Sequence, residues 1–325
     1  MARLSKRPAD QQALQSPIFV VGTGRCGSTL ISNILRKHPD VLSLSEFFFS
    51  VGGRVALHSG KVTAAEFWKI LSTPRPEITF ALRQGLQIPE FLYAARPTHA
   101  PFPEDGIPPL LLVPLPHLTD EPEELFHRIR SFVLSMPPDD LPNQYLTLFH
   151  WMSEELGKTV WVERSGASLT HLLELLQFWP DAKFVHIFRD GRECAYSMSV
   201  HPGFRLLLST LITGTPLSFL GSHHIPIQRF GYFWSWMIVR RARLLDKLSA
   251  DRVLKLRYED LVAEPVGQIG RLMQFVIPSF SDGKWLRDTA QIVRPEKPQW
   301  VDLPHDQREA LNHACAPGLR ALGYI

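Results

Sequence analysis

Cysteine is scarce in this chain: Cys26, Cys194 and Cys315 are the whole set among 325 residues. Their spacing fits no metal pattern, and so sparse and odd a set suits a reducing, cytoplasmic compartment rather than a disulfide framework. No His/Cys cluster has ligand spacing, so no metal is expected. Long apolar runs are missing too. The one candidate, Phe204 to Leu220 (FRLLLSTLITGTPLSFL), is interrupted by Gly214 and Pro216 and carries several hydroxyls, which excludes a membrane span. It reads as a buried helix that breaks at Gly214, with a membrane-facing or lipid-binding segment as the alternative. The N-terminal MARLSKRPADQQALQ has no apolar core of signal-peptide type and is expected to be a disordered leader over 1–16. A formal net charge of +3 permits an anionic ligand without pointing to nucleic acid. No internal repeat is present, and no oligomeric state follows from the sequence.

What the chain does have is concentrated early. Ile18 to Val21 is a short β-branched and aromatic run bounded by Pro17 and Gly22, the pattern of a buried strand. Gly22, Gly24 and Gly27 follow, and Leu30, Ile31, Ile34 and Leu35 then recur at helical spacing up to Pro39. Strand, glycine loop and helix in that order make an anion cradle: glycine lets the backbone approach, and the first N–H groups of the helix point outward. Gly22 and Gly27 have the spacing of a nucleoside-triphosphate loop, GxxxxGK[ST], but Ser28 stands where the lysine belongs. Arg25 inside the loop supplies a planar cation instead. A plain strand-to-helix turn remains the alternative, and so does a nucleophilic role for Cys26, which has no neighbouring His, Asp or Glu in sequence to activate it.

Further strands are expected at Val41 to Ser45, Thr159 to Val162, Lys183 to Phe188 and Arg252 to Leu256. Helices are expected at Ser168 to Phe178, Gly191 to Ser199, Arg229 to Leu248 and Val266 to Val276. Alternation of this kind implies an α/β fold, a parallel sheet with helices on both faces. Between about 59 and 152 the texture changes to a Pro-rich, mainly helical insertion, with short helices near Ala64 to Leu71 and Glu121 to Val133. Its Phe102, Leu110, Leu111, Leu112, Phe126 and Phe132 need burial, so it caps the sheet inside a single domain over 17–325. At the strand ends stand Arg25, Glu46, Glu163, Arg164, Arg189, Asp190 and Arg192. All of them fall on the carboxyl edge of a parallel sheet, where open α/β folds bind ligands.

Three segments, Gly22 to Thr29, Phe184 to Ser199 (FVHIFRDGRECAYSMS) and Leu256 to Pro265 (LRYEDLVAEP), resemble the sulfotransferases that use 3′-phosphoadenosine 5′-phosphosulfate (PAPS). The likeness is strongest to the bacterial branch and to the protein-tyrosine sulfotransferases. It implies a P-loop-type fold and a loop, here Gly24, Arg25, Cys26, Gly27, Ser28 and Thr29, that binds the 5′-phosphosulfate. It implies that Arg189 and Ser197 hold the 3′-phosphate and that Tyr258 touches the donor. Lys297, ahead of Trp300, matches a C-terminal phosphate-binding loop only loosely. Arg164 falls where the tyrosyl enzymes carry a basic residue at the sulfonate, usually lysine, and Glu46 falls on their general base.

The chemistry agrees with these roles. Sulfuryl transfer needs a base for the acceptor's proton and cations for the departing adenosine 3′,5′-bisphosphate; Glu46, Arg25 and Arg164 are the catalytic set expected here. Many cytosolic members use histidine as base, which leaves His58, His99 and His150 as alternatives to Glu46. A nucleoside-triphosphate-dependent kinase and a non-catalytic nucleotide-binding protein are the competing readings of the whole chain. The acceptor is expected to be a hydroxyl of a small molecule or peptide, with aromatic or lipophilic character read from Phe47 to Phe49 and from Phe204 to Leu220.

Overall fold

A computed structural model describes residues 16–95, 106–213 and 225–325. Residues 1–15, 96–105 and 214–224 lie outside it, and with them the leader, His99, Phe102 and the expected break at Gly214. The chain runs β1 (Ile18–Val21), α1 (Ser28–Arg36), β2 (Val41–Ser45) and α2 (Phe47–Val51), then β3 (Lys61–Val62), α3 (Ala64–Ser72) and α4 (Pro76–Arg83). Next come α5 (Pro109–Leu112), α6 (Pro114–Leu118), α7 (Pro122–Ser135), β4 (Asp139–Asp140) and α8 (Leu141–Glu155). The strand-helix alternation resumes with β5 (Val160–Arg164), α9 (Leu172–Phe178), β6 (Lys183–Phe188), α10 (Gly191–Val200) and α11 (Pro202–Thr213). It ends with α12 (Ile227–Arg240), β7 (Val253–Arg257), α13 (Tyr258–Ala263), α14 (Pro265–Val276), α15 (Gly283–Ala290) and α16 (His305–Ala321).

Five strands form one parallel sheet in the order β2-β5-β1-β6-β7. β1 lies at its centre and is buried on both faces, which is why its sequence is a continuous apolar run rather than an alternation. Phe19 anchors the core, with the rings of Phe48, Trp161, Trp179 and Phe184 packed around it at 5.2–6.3 Å. Helices flank the sheet, α1 packing against β1 and β2, α8 against β5, and α12 against α10 and α16.

The Pro-rich region is mainly helical, as expected, with α4, α5, α6 and α8 beside the two helices read from its sequence. α8 was not expected from the sequence; its Pro142 sits in the helix's first turn, where a missing N–H is harmless. Leu110, Leu111 and Leu112 are buried as expected, and Phe126 and Phe132 are partly buried. Two expected helices are divided. Ser168 to His171 is a 3-10 turn ahead of α9, started by Ala167 in a left-handed conformation (φ 54°) and fixed where Ser168 Oγ accepts the Gly22 N–H at 3.1 Å. α12 ends at Arg240, and a 3-10 segment, Ala242–Lys247, completes the span. Of the three phenylalanines after Glu46, Phe47 and Phe48 belong to the core.

Candidate active site

The glycine loop is shaped by three left-handed residues, Gly24 (φ 80°), Arg25 (φ 55°) and Gly27 (φ 93°). Gly27 precedes α1 and no side chain caps that helix, so its first-turn N–H groups remain open to an anion. Tyr258 packs against the loop so closely that a Cβ at Gly27 would lie 2.4 Å from its ring. Arg25 pays about 1–2 kcal/mol for a left-handed backbone, and its side chain is held at both ends: Nε donates to Ser197 Oγ at 3.0 Å and Nη1 to Glu90 Oε1 at 2.7 Å. Cys26 points beneath the loop, fully buried, and burial pushes its thiol up. Its side chain is therefore not poised as a nucleophile.

Glu46 also adopts a left-handed conformation (φ 55°), at the corner between β2 and α2. Its Oε1 pairs with Arg164 Nη1, and its Oε2 accepts the Gly166 N–H at 2.8 Å. Arg164 Nη2 donates to Ser45 Oγ at 2.8 Å. Behind this pair Glu163 points to the opposite face of β5, fully buried, where its Oε1 accepts from Ser165 Oγ at 2.5 Å and from the Phe48 N–H at 3.3 Å. Burial pushes the Glu163 carboxyl up to about 8. Glu163 thus braces the turn that presents Glu46.

Arg189, at the end of β6, lies over the Tyr258 ring at 4.2 Å and, among the described residues, makes only long ion pairs, 3.7 Å to Glu193 and 3.9 Å to Glu296. The C-terminal segment docks beside it: Glu193 Oε2 accepts the N–H groups of Gln299 and Trp300 at 2.8 and 3.3 Å, and Arg192 stacks on Trp300 at 4.2 Å. Lys297 is exposed on this segment, and it is Glu296 that approaches Arg189.

A cavity of about 260 Å³ opens in front of the loop, lined by Gly24, Arg25, Ser28, Thr29, Glu46 and Arg164. Its remaining walls include Phe49, Ile88, Phe91, Phe204 and Leu207. The structure therefore brings the loop, Glu46 and Arg164 to one cavity and gathers Arg189 and Tyr258 on the far side of the loop. His58 and His150 do not line the cavity, whereas His171 and His201 do. Burial holds His171 at about 4. Sequence reading missed Glu90, His201 and Glu193. Glu193 and His201 lie in or beside the second motif, but nothing in the local pattern around Glu90 marks it.

A sequence model of the sulfotransferase family matches residues 17–86 and 138–282, more than half of the chain. This chain belongs to the sulfotransferase family. The fold is similar to that of the sulfotransferase domain from the curacin biosynthetic pathway, 15% identical over 95% of this chain and 98% of that one, with a TM-score of 0.52. The sulfotransferase STF9 from Mycobacterium avium aligns over 94% of this chain and 76% of its own at 16% identity, with a TM-score of 0.49. No curated protein matches the sequence. Among the described residues no helix of this sulfotransferase is long and apolar enough to cross a membrane, and no group of three His, Cys, Asp or Glu side chains is placed to hold a metal ion.

Proposed function

We propose that this sulfotransferase takes the sulfuryl group from PAPS and delivers it to a hydroxyl of a small-molecule or peptide acceptor, with Glu46 as general base. The observation that carries this reading is that Glu46, Arg164 and Arg25 line one cavity whose other walls are largely apolar. Transfer forms a bond from the acceptor oxygen to sulfur as the bond from sulfur to the 5′-phosphate oxygen breaks. The acceptor's proton passes to Glu46, whose two oxygens are oriented by Arg164 and by the Gly166 N–H and keep lone pairs for it. Arg25, Arg164 and the first N–H groups of α1 stabilise the charge arriving on the 5′-phosphate.

The residues on the far side of the loop fit the rest of the donor. Among the described residues Arg189 has no short ion pair to give up, and Ser197 accepts from Arg25, which leaves its hydroxyl proton for a phosphate oxygen. Tyr258 completes this side, and Lys297 is retained only as an exposed cation on the adjoining segment. Phe49, Ile88, Phe91, Phe204 and Leu207 favour an aromatic or lipophilic acceptor. A hydrophobic core that runs from Ile18 to Leu319 supports one domain over 17–325 with the insertion at about 59–152, and three free, buried cysteines fit a cytoplasmic setting.

Incubation with sulfur-labelled PAPS and an extract of the host, followed by mass identification of the labelled product, tests the reaction. Label in an acceptor, lost in the Glu46→Gln variant, is the expected result. Phosphoryl transfer from ATP with magnesium and no label from PAPS would overturn it in favour of a kinase.

A further inference from the structure

Glu90 is paired with the loop arginine assigned above to the donor. It follows α4 on an irregular stretch, outside both segments matched by the family. Its carboxylate spans two cations or potential cations, Oε1 to Arg25 Nη1 at 2.7 Å and Oε2 to His201 Nε2 at 2.8 Å. Burial pushes the carboxyl up, but the hydrogen bond and charge of His201 and the charge of Arg25 outweigh it and hold Glu90 at about 2. The guanidinium assigned above to the phosphosulfate is thus already neutralised by the protein itself.

A donor brings oxyanions to that same guanidinium. Two anions beside one cation repel each other, so the arriving group and the carboxylate compete. The stretch that carries Glu90 is suited to giving way. Ile88 and Phe91 pack with Ile78, Leu112 and Val113 in a small cluster of their own, apart from the core around the sheet. A segment with few ties to the main core can shift without opening it. Ile88 and Phe91 also form cavity wall, Ile88 beside the Gly203 corner that precedes Phe204, so a shift of this stretch reshapes the space where the acceptor would sit.

We propose that Glu90 competes with the sulfuryl donor for Arg25, and that its displacement moves residues 86–92 so that the acceptor cavity takes its working shape only after the donor has bound. The inference rests on the donor assignment above. It makes binding ordered, donor first, and it makes Glu90 the residue that links donor occupancy to the acceptor wall. If Glu90 instead served to orient Arg25 for the donor, removing its charge would weaken donor binding; as a competitor, removal tightens it.

Calorimetric titration of the wild type, Glu90→Gln and Glu90→Ala with adenosine 3′,5′-bisphosphate separates the two signs. The expected result is tighter binding by both variants, by about tenfold, the weight of one partly exposed charge-assisted contact. Hydrogen exchange followed on the wild type gives a second reading: the bisphosphate should slow exchange at 24–29 and speed it at 86–92. Equal or weaker binding by the variants, or unchanged or slowed exchange at 86–92, overturns the proposal while leaving the donor assignment intact. Absence of bisphosphate binding by all three proteins overturns the donor assignment and this inference with it.

Discussion

Glu46 and Arg164 close on each other twice, at the ends of neighbouring parallel strands. The Glu46 N–H donates to the Arg164 carbonyl at 2.6 Å, and Arg164 Nη1 pairs with Glu46 Oε1. The register of β2 on β5, with Ser45 opposite Arg164, places both side chains at the cavity floor. The pair is buried, so the carboxylate proposed as base is oriented by contacts shielded from solvent.

Glu46→Gln keeps the shape of this corner and removes the proton acceptor. Turnover should fall by at least a hundredfold, within the usual range for a general base, while bisphosphate affinity stays nearly unchanged. Steady-state kinetics paired with calorimetry checks both halves, and retained turnover hands the base role to another group such as His201.

Arg164→Ala would leave the Glu46 carboxylate buried without its partner. The expected loss of stability is about 3 kcal/mol or more, read by urea unfolding. Arg164→Lys keeps the charge but not the fork that reaches both Glu46 and Ser45, and should lose less. Equal losses in the two variants would contradict the role given to the ion pair.

Arg189→Ala should behave in the opposite way. Among the described residues its contacts are a ring face and two long ion pairs, so stability should change little, whereas bisphosphate affinity should drop by about 2–3 kcal/mol, the cost of a charge-assisted phosphate contact. Calorimetry and thermal unfolding on the same samples separate the effects.

His186 gives a pH prediction. It is buried in β6, and among the described residues neither ring nitrogen has a hydrogen-bond partner. Burial lowers it from 6.5 to about 4, so between those values the unfolded chain takes up a proton that the folded chain does not. Stability therefore falls as pH drops from about 6.5 to about 4, by on the order of 3 kcal/mol from this group. Urea unfolding at pH 7 and pH 5 should show a smaller acid loss in His186→Leu than in the wild type.

Much of this was legible in the sequence where local chemistry and tertiary role coincide. β1 is apolar throughout because it is buried on both faces, the glycine loop is recognisable because left-handed backbone favours glycine, and Glu46, Arg164 and Arg189 could be placed because a parallel sheet puts strand ends on one edge. Illegibility has equally physical causes. α8 was not expected, and it carries Pro142 in its first turn, where proline does not disrupt a helix as it does in the interior. Glu90 meets Arg25 across 65 positions, between an irregular stretch and a loop, and no periodicity encodes such a contact. Phe47 and Phe48 look like pocket wall by composition, yet α2 turns them into the core and leaves Phe49 at the cavity.

The most direct measurement of the donor site is a crystal structure with adenosine 3′,5′-bisphosphate. The 5′-phosphate is expected on the amides of Cys26 to Thr29 beside Arg25, and the 3′-phosphate on Arg189 and Ser197. An empty loop, or a nucleotide bound away from Arg189 and Ser197, would contradict that placement.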